Sequence, residues 1–322
     1  MSSISVIIPT FNAALLIERA LRSIMSQNGR HDVEIIIIDD CSTDDTLTVI
    51  EKLAIPSLRI LRQDSNSGPA AARNRGLNAA TGDYCAFLDG DDFWEPDFLN
   101  ETTAFLDSHT DAIAVSVMQC HKTFTGKVSI VPTSPPVQQS VLLDNFYDFW
   151  AKYNHVCTGS ALFRTDVAKA TGGQREELRV CEDLEFWALL ATYGKWGFIP
   201  KVLFTSDGGI VTKKNGWLAK ARKRWASAVP IDIWSQRIDQ HLPEKLKDSF
   251  PRAQARIARG LAYSMLLDGR YEAARQDVLK CSALFPHNRI NSIFAICSRS
   301  RCIWFFFASF LRCREYIRSI IV

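Results

Sequence analysis

Four strand-like runs punctuate the N-terminal part of the chain, the first two rich in β-branched residues, and each stops abruptly at polar or turn-forming residues: Ile4–Ile8, Val33–Ile38, Leu58–Arg62 and Tyr84–Leu88. A continuous apolar run without alternation is what a strand buried on both faces requires. Between them lie stretches with helical spacing. Asn12 is placed to cap a helix in which Leu16, Ile17, Ala20, Leu21 and Ile24 recur. Ser42 and Asp45 form a capping-box pattern ahead of a helix through Leu53. Asn66-Ser67-Gly68-Pro69 sets Pro69 in the first turn of a helix through Ala80. This alternation predicts an α/β fold, a parallel sheet with helices on both faces. Ligands of such sheets bind beyond the carboxyl ends of the strands. Three of the four ends carry unusual polar chemistry: Pro9-Thr10-Phe11-Asn12, Asp39-Asp40 and Asp89–Asp92.

The last of these crowds three carboxylates, Asp89, Asp91 and Asp92, at the end of an apolar run. Like charges at this spacing repel. A hard divalent cation relieves the repulsion, and a solvated acidic turn tolerates it; both readings stand on the residues alone. Further along, Ala112–Met118 reads as a strand, Val128–Pro136 as an extended proline-rich loop and Asp144–Tyr153 as a helix. Ser160–Phe163 is another short strand, and Thr171-Gly172-Gly173 a turn. Glu182-Asp183 opens a helix whose Leu184, Trp187, Leu190 and Ala191 form a core stripe, and Phe198–Phe204 is a closing strand.

A net charge of +3 in 322 residues gives no reason to expect nucleic acid as a partner. Nine cysteines without a Cys-x-x-Cys pair argue against a disulfide scaffold or a zinc site and suit a reducing compartment. Met1-Ser2-Ser3-Ile4 runs straight into a strand with no signal-peptide pattern, so a cytoplasmic location is expected. Beyond Asp207 the composition turns basic, with Lys213, Lys214, Lys220, Arg222, Lys223 and Arg224 and no acidic residue before Asp232. Leu246–Leu284 is helical in period, and Ala262–Ala274 with Pro286 looks like one tetratricopeptide-type helix pair. In the tail, Arg299, Arg301, Arg312 and Arg314 flank the apolar run Cys302–Leu311. That run is about half of what a bilayer-spanning helix needs. It fits an interfacial segment or a helix packed on the protein.

Five motifs now converge: Ser5-Val6-Ile7-Ile8-Pro9-Thr10-Phe11-Asn12, Ile38-Asp39-Asp40-Cys41-Ser42-Thr43-Asp44, Gly68–Gly76, Leu88-Asp89-Gly90-Asp91-Asp92 and Cys181-Glu182-Asp183. In this order they resemble the family-2, GT-A fold glycosyltransferases over the first two hundred residues. The resemblance implies a Rossmann-like GT-A nucleotide-diphospho-sugar transferase fold over residues 1–210, with a basic, helical C-terminal region over 211–322. It also implies a donor site. Phe11, in the turn with Pro9 and Thr10, would stack on the nucleotide base. Asp40 would accept the base imide N–H, favouring uracil, while Asp39 is structural. Gly68 would allow close backbone approach, and Arg73 would meet the diphosphate; Arg75 reads as a solvated helix charge. Asp91 would hold Mn²⁺ or Mg²⁺, and Asp89, next to Gly90, would contact the ribose or a metal-bound water. Asp183 would be the general base, with Glu182 its nearest rival.

The implied reaction is an inverting, metal-dependent transfer from a UDP-sugar to a glycan or lipid-linked acceptor in cell-surface polysaccharide or glycolipid synthesis. The basic stretch and the Arg-flanked tail would contact the inner face of the cell membrane. Two departures from the family pattern matter. Phe204-Thr205-Ser206-Asp207 stands where many relatives carry Tyr-Arg-x-His, which makes Asp207 a candidate metal-side ligand. Arg224-Trp225 matches the end of the Gln-x-x-Arg-Trp motif of processive synthases, but Ala221 replaces Gln, so a single sugar per encounter is expected. A sugar-nucleotide nucleotidyltransferase would need a Gly-rich, Lys- or Arg-bearing loop after the first strand, and Pro9–Ala14 has neither. A non-catalytic membrane-docked scaffold would have no use for the carboxylates that are present.

Overall fold

A computed structural model describes residues 2–122, 127–134, 137–207, 217–286 and 288–321. In chain order the elements are β1 (Ser3–Thr10), α1 (Ile17–Met25), β2 (Asp32–Asp39), α2 (Thr46–Lys52), β3 (Leu58–Arg62), α3 (Pro69–Ala79), β4 (Tyr84–Phe87) and β5 (Phe93–Trp94). There follow α4 (Phe98–Ser108), β6 (Ala112–Lys122), β7 (Val128–Val131), β8 (Val141–Leu142), α5 (Phe146–Lys152), β9 (Ala161–Arg164), α6 (Thr165–Ala170), α7 (Glu182–Leu190) and β10 (Lys195–Ser206). The chain ends in α8 (Trp217–Ala226), α9 (Ile231–His241), α10 (Phe250–Asp268), α11 (Tyr271–Cys281), α12 (Arg289–Ser298) and α13 (Arg301–Ile321). Two compact units result. The first takes residues 1–146, 153–176 and 186–210; the second takes 147–152, 177–185 and 211–322.

The first unit is built on one sheet in the order β3-β2-β1-β4-β9-β6-β10-β5. The predicted parallel sheet is present in β3, β2, β1 and β4, with Thr10 opposite Asp39 and Ile7 opposite Phe87. That register brings the three polar strand ends to one rim. The sheet as a whole is mixed, because β9 runs antiparallel to both β4 and β6. The β-branched runs are buried on both faces as their composition requires. Ile4, Val6 and Ile8 share a core with Ile17, Ala20, Leu21 and Ile24 of α1. On the opposite face Ile7 lies so close to α3 that a Cβ on Gly76 would sit 2.3 Å from its Cγ2. Phe87 there meets Phe163, Phe186 and Trp187.

Three local expectations are corrected. Asn12 does not cap α1; it takes φ +51°, and its Oδ1 accepts from the backbone N–H of Thr43. Ser42 does not cap α2, because its hydroxyl accepts from the N–H of Asn12. Both side chains prefer a loop-to-loop bond over a helix terminus, the competition expected of short polar side chains. Val128–Val131 is no loop but a strand paired with β6; Pro135 and Pro136 lie outside the described residues.

In the second unit, α10 and α11 form the expected helix pair. Gly269 takes φ +95° between them, and the N–H groups of Gly269 and Arg270 return to the carbonyls of Leu266 and Met265. This Schellman arrangement satisfies the last carbonyls and needs a residue without Cβ strain. On α13, Trp304, Ala308 and Leu311 are buried, and Trp304 donates to the carbonyl of Tyr271. No helix among the described residues is long and apolar enough to cross a membrane.

Asp277 of α11 accepts the N–H of Ile231 at the start of α9. Burial, and then the charge of Asp232, push its carboxyl up from 3.8 to about 6, against that bond and the nearby Lys280. A raised carboxyl stabilises the fold most below its unfolded value and loses that contribution as pH climbs through the folded one. Asp277→Asn, which keeps an acceptor, should therefore gain stability on the wild type between pH 4 and pH 7, by on the order of 2 kcal/mol. Parallel denaturation curves at the two pH values would refute this.

Candidate active site

At the end of β2, Asp40 is buried and its carboxylate is taken up by the chain. Oδ1 accepts from the Gln63 amide and from the N–H of Ser67, and Oδ2 accepts from the N–H of Gly68, each at 2.8 Å. A carboxylate has about four acceptor positions, so one remains for a ligand. These bonds fix the turn in which Gly68 takes φ +88° and starts α3 with Pro69 as its first residue. Asp39 is fully buried, accepts from the N–H of Ser42, and has its Oδ2 3.3 Å from Arg62 Nε without hydrogen-bond geometry.

Helix α3 places Arg73, which is nearly fully buried. Its guanidinium donates to Asp89 at 2.7 Å and to the Gln174 side-chain oxygen at 3.3 Å. The Gln174 amide nitrogen is buried with no hydrogen-bond partner. Asn74 holds that segment by bonding both the N–H and the carbonyl of Gln174. Gln174 was not foreseen. Its only sequence signal is its place after Gly172-Gly173, a turn whose destination cannot be read from the chain.

The end of β4 holds the carboxylate cluster. Burial raises the Asp91 carboxyl, and the charge of Asp89 raises it further. Burial, followed by the charges of Asp89 and Asp91, pushes Asp92 up to about 8. Asp92 accepts the N–H of Asp207 at 2.9 Å, so the segment after β10 closes on the cluster. Gly90 sits between the carboxylates, where a Cβ would lie 3.2 Å from Ile17 Cδ1. Arg19 of α1 enters from the side. It pairs with the Asp207 carboxylate, donates to the Asp91 carbonyl and lies 4.8 Å from the Phe93 ring centre. Its Nε is buried without a partner. The basis for detecting Arg19 in the sequence was absent, since it looks like any exposed helix charge.

The rim is completed by Phe11, a residue 44% exposed just beyond β1, while Thr10 before it is buried. Its loop is stitched to the next one: Asn12 and Ala13 donate to Ser42 and Thr46, and Ala14 donates to Asp44. Pro9, opposite Ile38 in the sheet register, carries the strand into this loop. Glu182 and Asp183 stand in the first turn of α7, within the second unit. Cys181 before them takes φ +60°, and its carbonyl accepts from Glu185 and from Trp234 Nε1. Glu182 Oε2 is buried without a hydrogen-bond partner. Asn12, Cys41 and Cys181 are three of the four non-glycine residues with positive φ among those described, and each adjoins an expected site residue. Backbone strain of this kind collects at functional positions.

A family model described as Glycosyl transferase family 2 matches residues 5–171. The putative teichuronic acid biosynthesis glycosyltransferase TuaG of Bacillus subtilis (strain 168) is 30% identical over 193 residues, which is 59% of this chain and 73% of that one. The UDP-Glc:alpha-D-GlcNAc-diphosphoundecaprenol beta-1,3-glucosyltransferase WfaP of Escherichia coli is 33% identical over 168 residues, 52% of this chain and 63% of its own length. Among solved structures, Staphylococcus aureus TarS 1–349 in complex with UDP-GlcNAc superimposes with a TM-score of 0.61 at 19% identity, covering 98% of this chain and 92% of that one. At that identity the likeness is one of fold.

Removing the Arg19 guanidinium takes away its ion pair with Asp207 and its bond to the Asp91 carbonyl. Arg19→Gln should lower stability by about 1–3 kcal/mol, read as a shifted denaturation midpoint. An unchanged midpoint would show the pair to be a surface contact of no consequence.

Proposed function

The chain belongs to glycosyl transferase family 2, and from that premise we propose that it moves one sugar per encounter from a UDP-sugar to an acceptor hydroxyl, with inversion. The observation that carries this reading is the partly buried carboxylate cluster at the end of β4, whose Asp91 and Asp92 are both pushed toward their neutral forms. Such a cluster calls for added positive charge, and Asp91 and Asp89 are the residues that would hold Mn²⁺ or Mg²⁺. Among the described residues no three His, Cys, Asp or Glu side chains gather into a complete metal cage, so phosphate oxygens would supply the remaining ligands, as is usual for Mg²⁺. When bound, the ion supplies charge neutralisation for the departing diphosphate.

The chain's own groups do the rest. Phe11 offers an exposed ring on which a base can stack. The remaining acceptor position of Asp40 takes the imide N–H of uracil. The Gly68 turn lets backbone approach the donor, and Arg73 exchanges part of its bond to Asp89 for a phosphate oxygen. Asp89 would then be available to a ribose hydroxyl or to help hold the ion. Asp183 takes the proton of the attacking hydroxyl as the new bond forms, because an alcohol is a poor nucleophile until it is deprotonated. Direct displacement of this kind inverts the anomeric centre. The salt bridge to Arg19 gives Asp207 a structural role ahead of metal ligation.

The UDP-GlcNAc held by the TarS structure and the UDP-Glc in the name of the E. coli relative support a UDP-sugar donor. The two relatives by sequence, one named for teichuronic acid and one for a diphosphoundecaprenol acceptor, support a glycan or lipid-linked acceptor in cell-surface polysaccharide synthesis. Cytoplasmic nucleotide sugars and such acceptors meet at the inner face of the cell membrane, where we place the reaction. The basic stretch expected to assist there lies partly outside the described residues, Lys213 and Lys214 among them.

Calorimetric titration of UDP should show binding that strengthens on adding Mn²⁺, and Asp91→Asn should reduce it to the metal-free level. UDP that binds equally with and without the ion would end the metal assignment. Asp183→Asn should cut transfer by roughly 10²–10⁴-fold while UDP binds as before. A variant that loses UDP binding as well would remove Asp183 from the role of base.

A further inference from the structure

Exposed apolar side chains are concentrated in α12 and α13. Of the large hydrophobic residues exposed to solvent, Ile290, Ile293, Ile296, Ile303, Phe305, Phe306, Phe310 and Tyr316 all lie there, eight of seventeen among the described residues. Scattered exposed Leu or Ile is ordinary, but a contiguous aromatic face on one helix is not. On α13 the division is clean. Trp304, Ala308 and Leu311 are buried, with Trp304 and Phe307 packed against Phe294 of α12. At 100° per residue, Cys302, Ile303, Phe306, Phe310 and Cys313 fall within one arc on the other side, and all five are exposed. The two readings of the tail, packed helix and interfacial segment, thus describe opposite faces of one helix.

Charge selects what covers that face. Residues 288–322 contain six arginines and one acidic residue, Glu315. Arg289, Arg299, Arg301 and Arg312 are exposed, and Glu315 is tied to Tyr263 and Arg314. A second copy of the chain would bring the same positive charge against itself, which opposes self-association. An anionic bilayer surface is complementary in both respects, with acyl chains for Phe306 and Phe310 and headgroups for the arginines. Spanning is ruled out for the described helices by length and polarity, so the helix lies in the interface plane.

We infer that the Phe306–Phe310 face of α13, with the arginines of α12 and α13, is a docking surface for an anionic lipid membrane. This inference stands on the second unit alone and is independent of the donor chemistry. The test is cosedimentation of the full chain with vesicles of phosphatidylglycerol and phosphatidylcholine, and with vesicles of phosphatidylcholine alone. The chain should pellet with the anionic vesicles, remain in solution with the neutral ones, and be released by salt. Phe306→Ser/Phe310→Ser and, separately, Arg299→Gln/Arg301→Gln should each weaken partition by roughly tenfold or more. UDP binding should be unchanged in both, since all four residues are exposed and distant in sequence from the donor motifs. No binding to anionic vesicles, or binding that both double variants retain, overturns the inference. So does sedimentation velocity showing a dimer that dissociates on Phe306→Ser/Phe310→Ser, which would make a second copy the occupant.

Discussion

Repulsion among the carboxylates at the end of β4 is the constraint to which the rest of the first unit answers. Asp89, Asp91 and Asp92 are held together by a strand end and a glycine turn, and burial limits how far water screens Asp91 and Asp92. Two arginines from two different helices approach this charge. Arg73 reaches Asp89 from α3, and Arg19 reaches the Asp91 carbonyl and Asp207 from α1. Each helix is in turn located by its packing on opposite faces of the same strands. The electrostatics of the rim therefore depend on the sheet register, and a slip in register would separate cations from anions.

This division of labour gives the two arginines different prospects. Arg73 is nearly fully buried beside Gln174, whose amide has a donor still unmatched, so the phosphate oxygen proposed above would meet both. Arg19 is bound to a carboxylate and a carbonyl at once and lies against Phe93. It reads as scaffold. Asp40 combines the two, since three of its acceptor positions shape the turn before α3 and one is left over.

The parallel half of the sheet was legible because β1, β2 and β4 are apolar on both faces and alternate with stretches of helical spacing, although β3 carries two arginines and is half-buried. The placement of Phe11 and Asp89 at the rim was legible because both follow strand ends, and that of Arg73 because it lies near the start of a helix that leaves the same rim. What escaped were the pairings made by distant segments. Gln174 meets Arg73 across one hundred and one residues, and Arg19 meets Asp207 across one hundred and eighty-eight. No local pattern encodes such contacts. The misassigned caps at Asn12 and Ser42 have the same origin, since each side chain had a neighbouring loop available as well as its own helix. The antiparallel course of β9 was equally hidden, because a four-residue apolar run has no direction in its composition.

The stitching of the first two loops carries a thermodynamic consequence. Asn12, Ala13 and Ala14 spend their N–H groups on Ser42, Thr46 and Asp44, and Asn12 returns a bond to Thr43. None of these bonds needs a ligand. The ordering of the shelf under Phe11 is thus settled during folding, and a base stacked there, as proposed above, would not have to freeze two loops before it gained contact area. Recognition at this edge should carry little conformational entropy loss from the protein, and discrimination between bases should follow from a fixed shape.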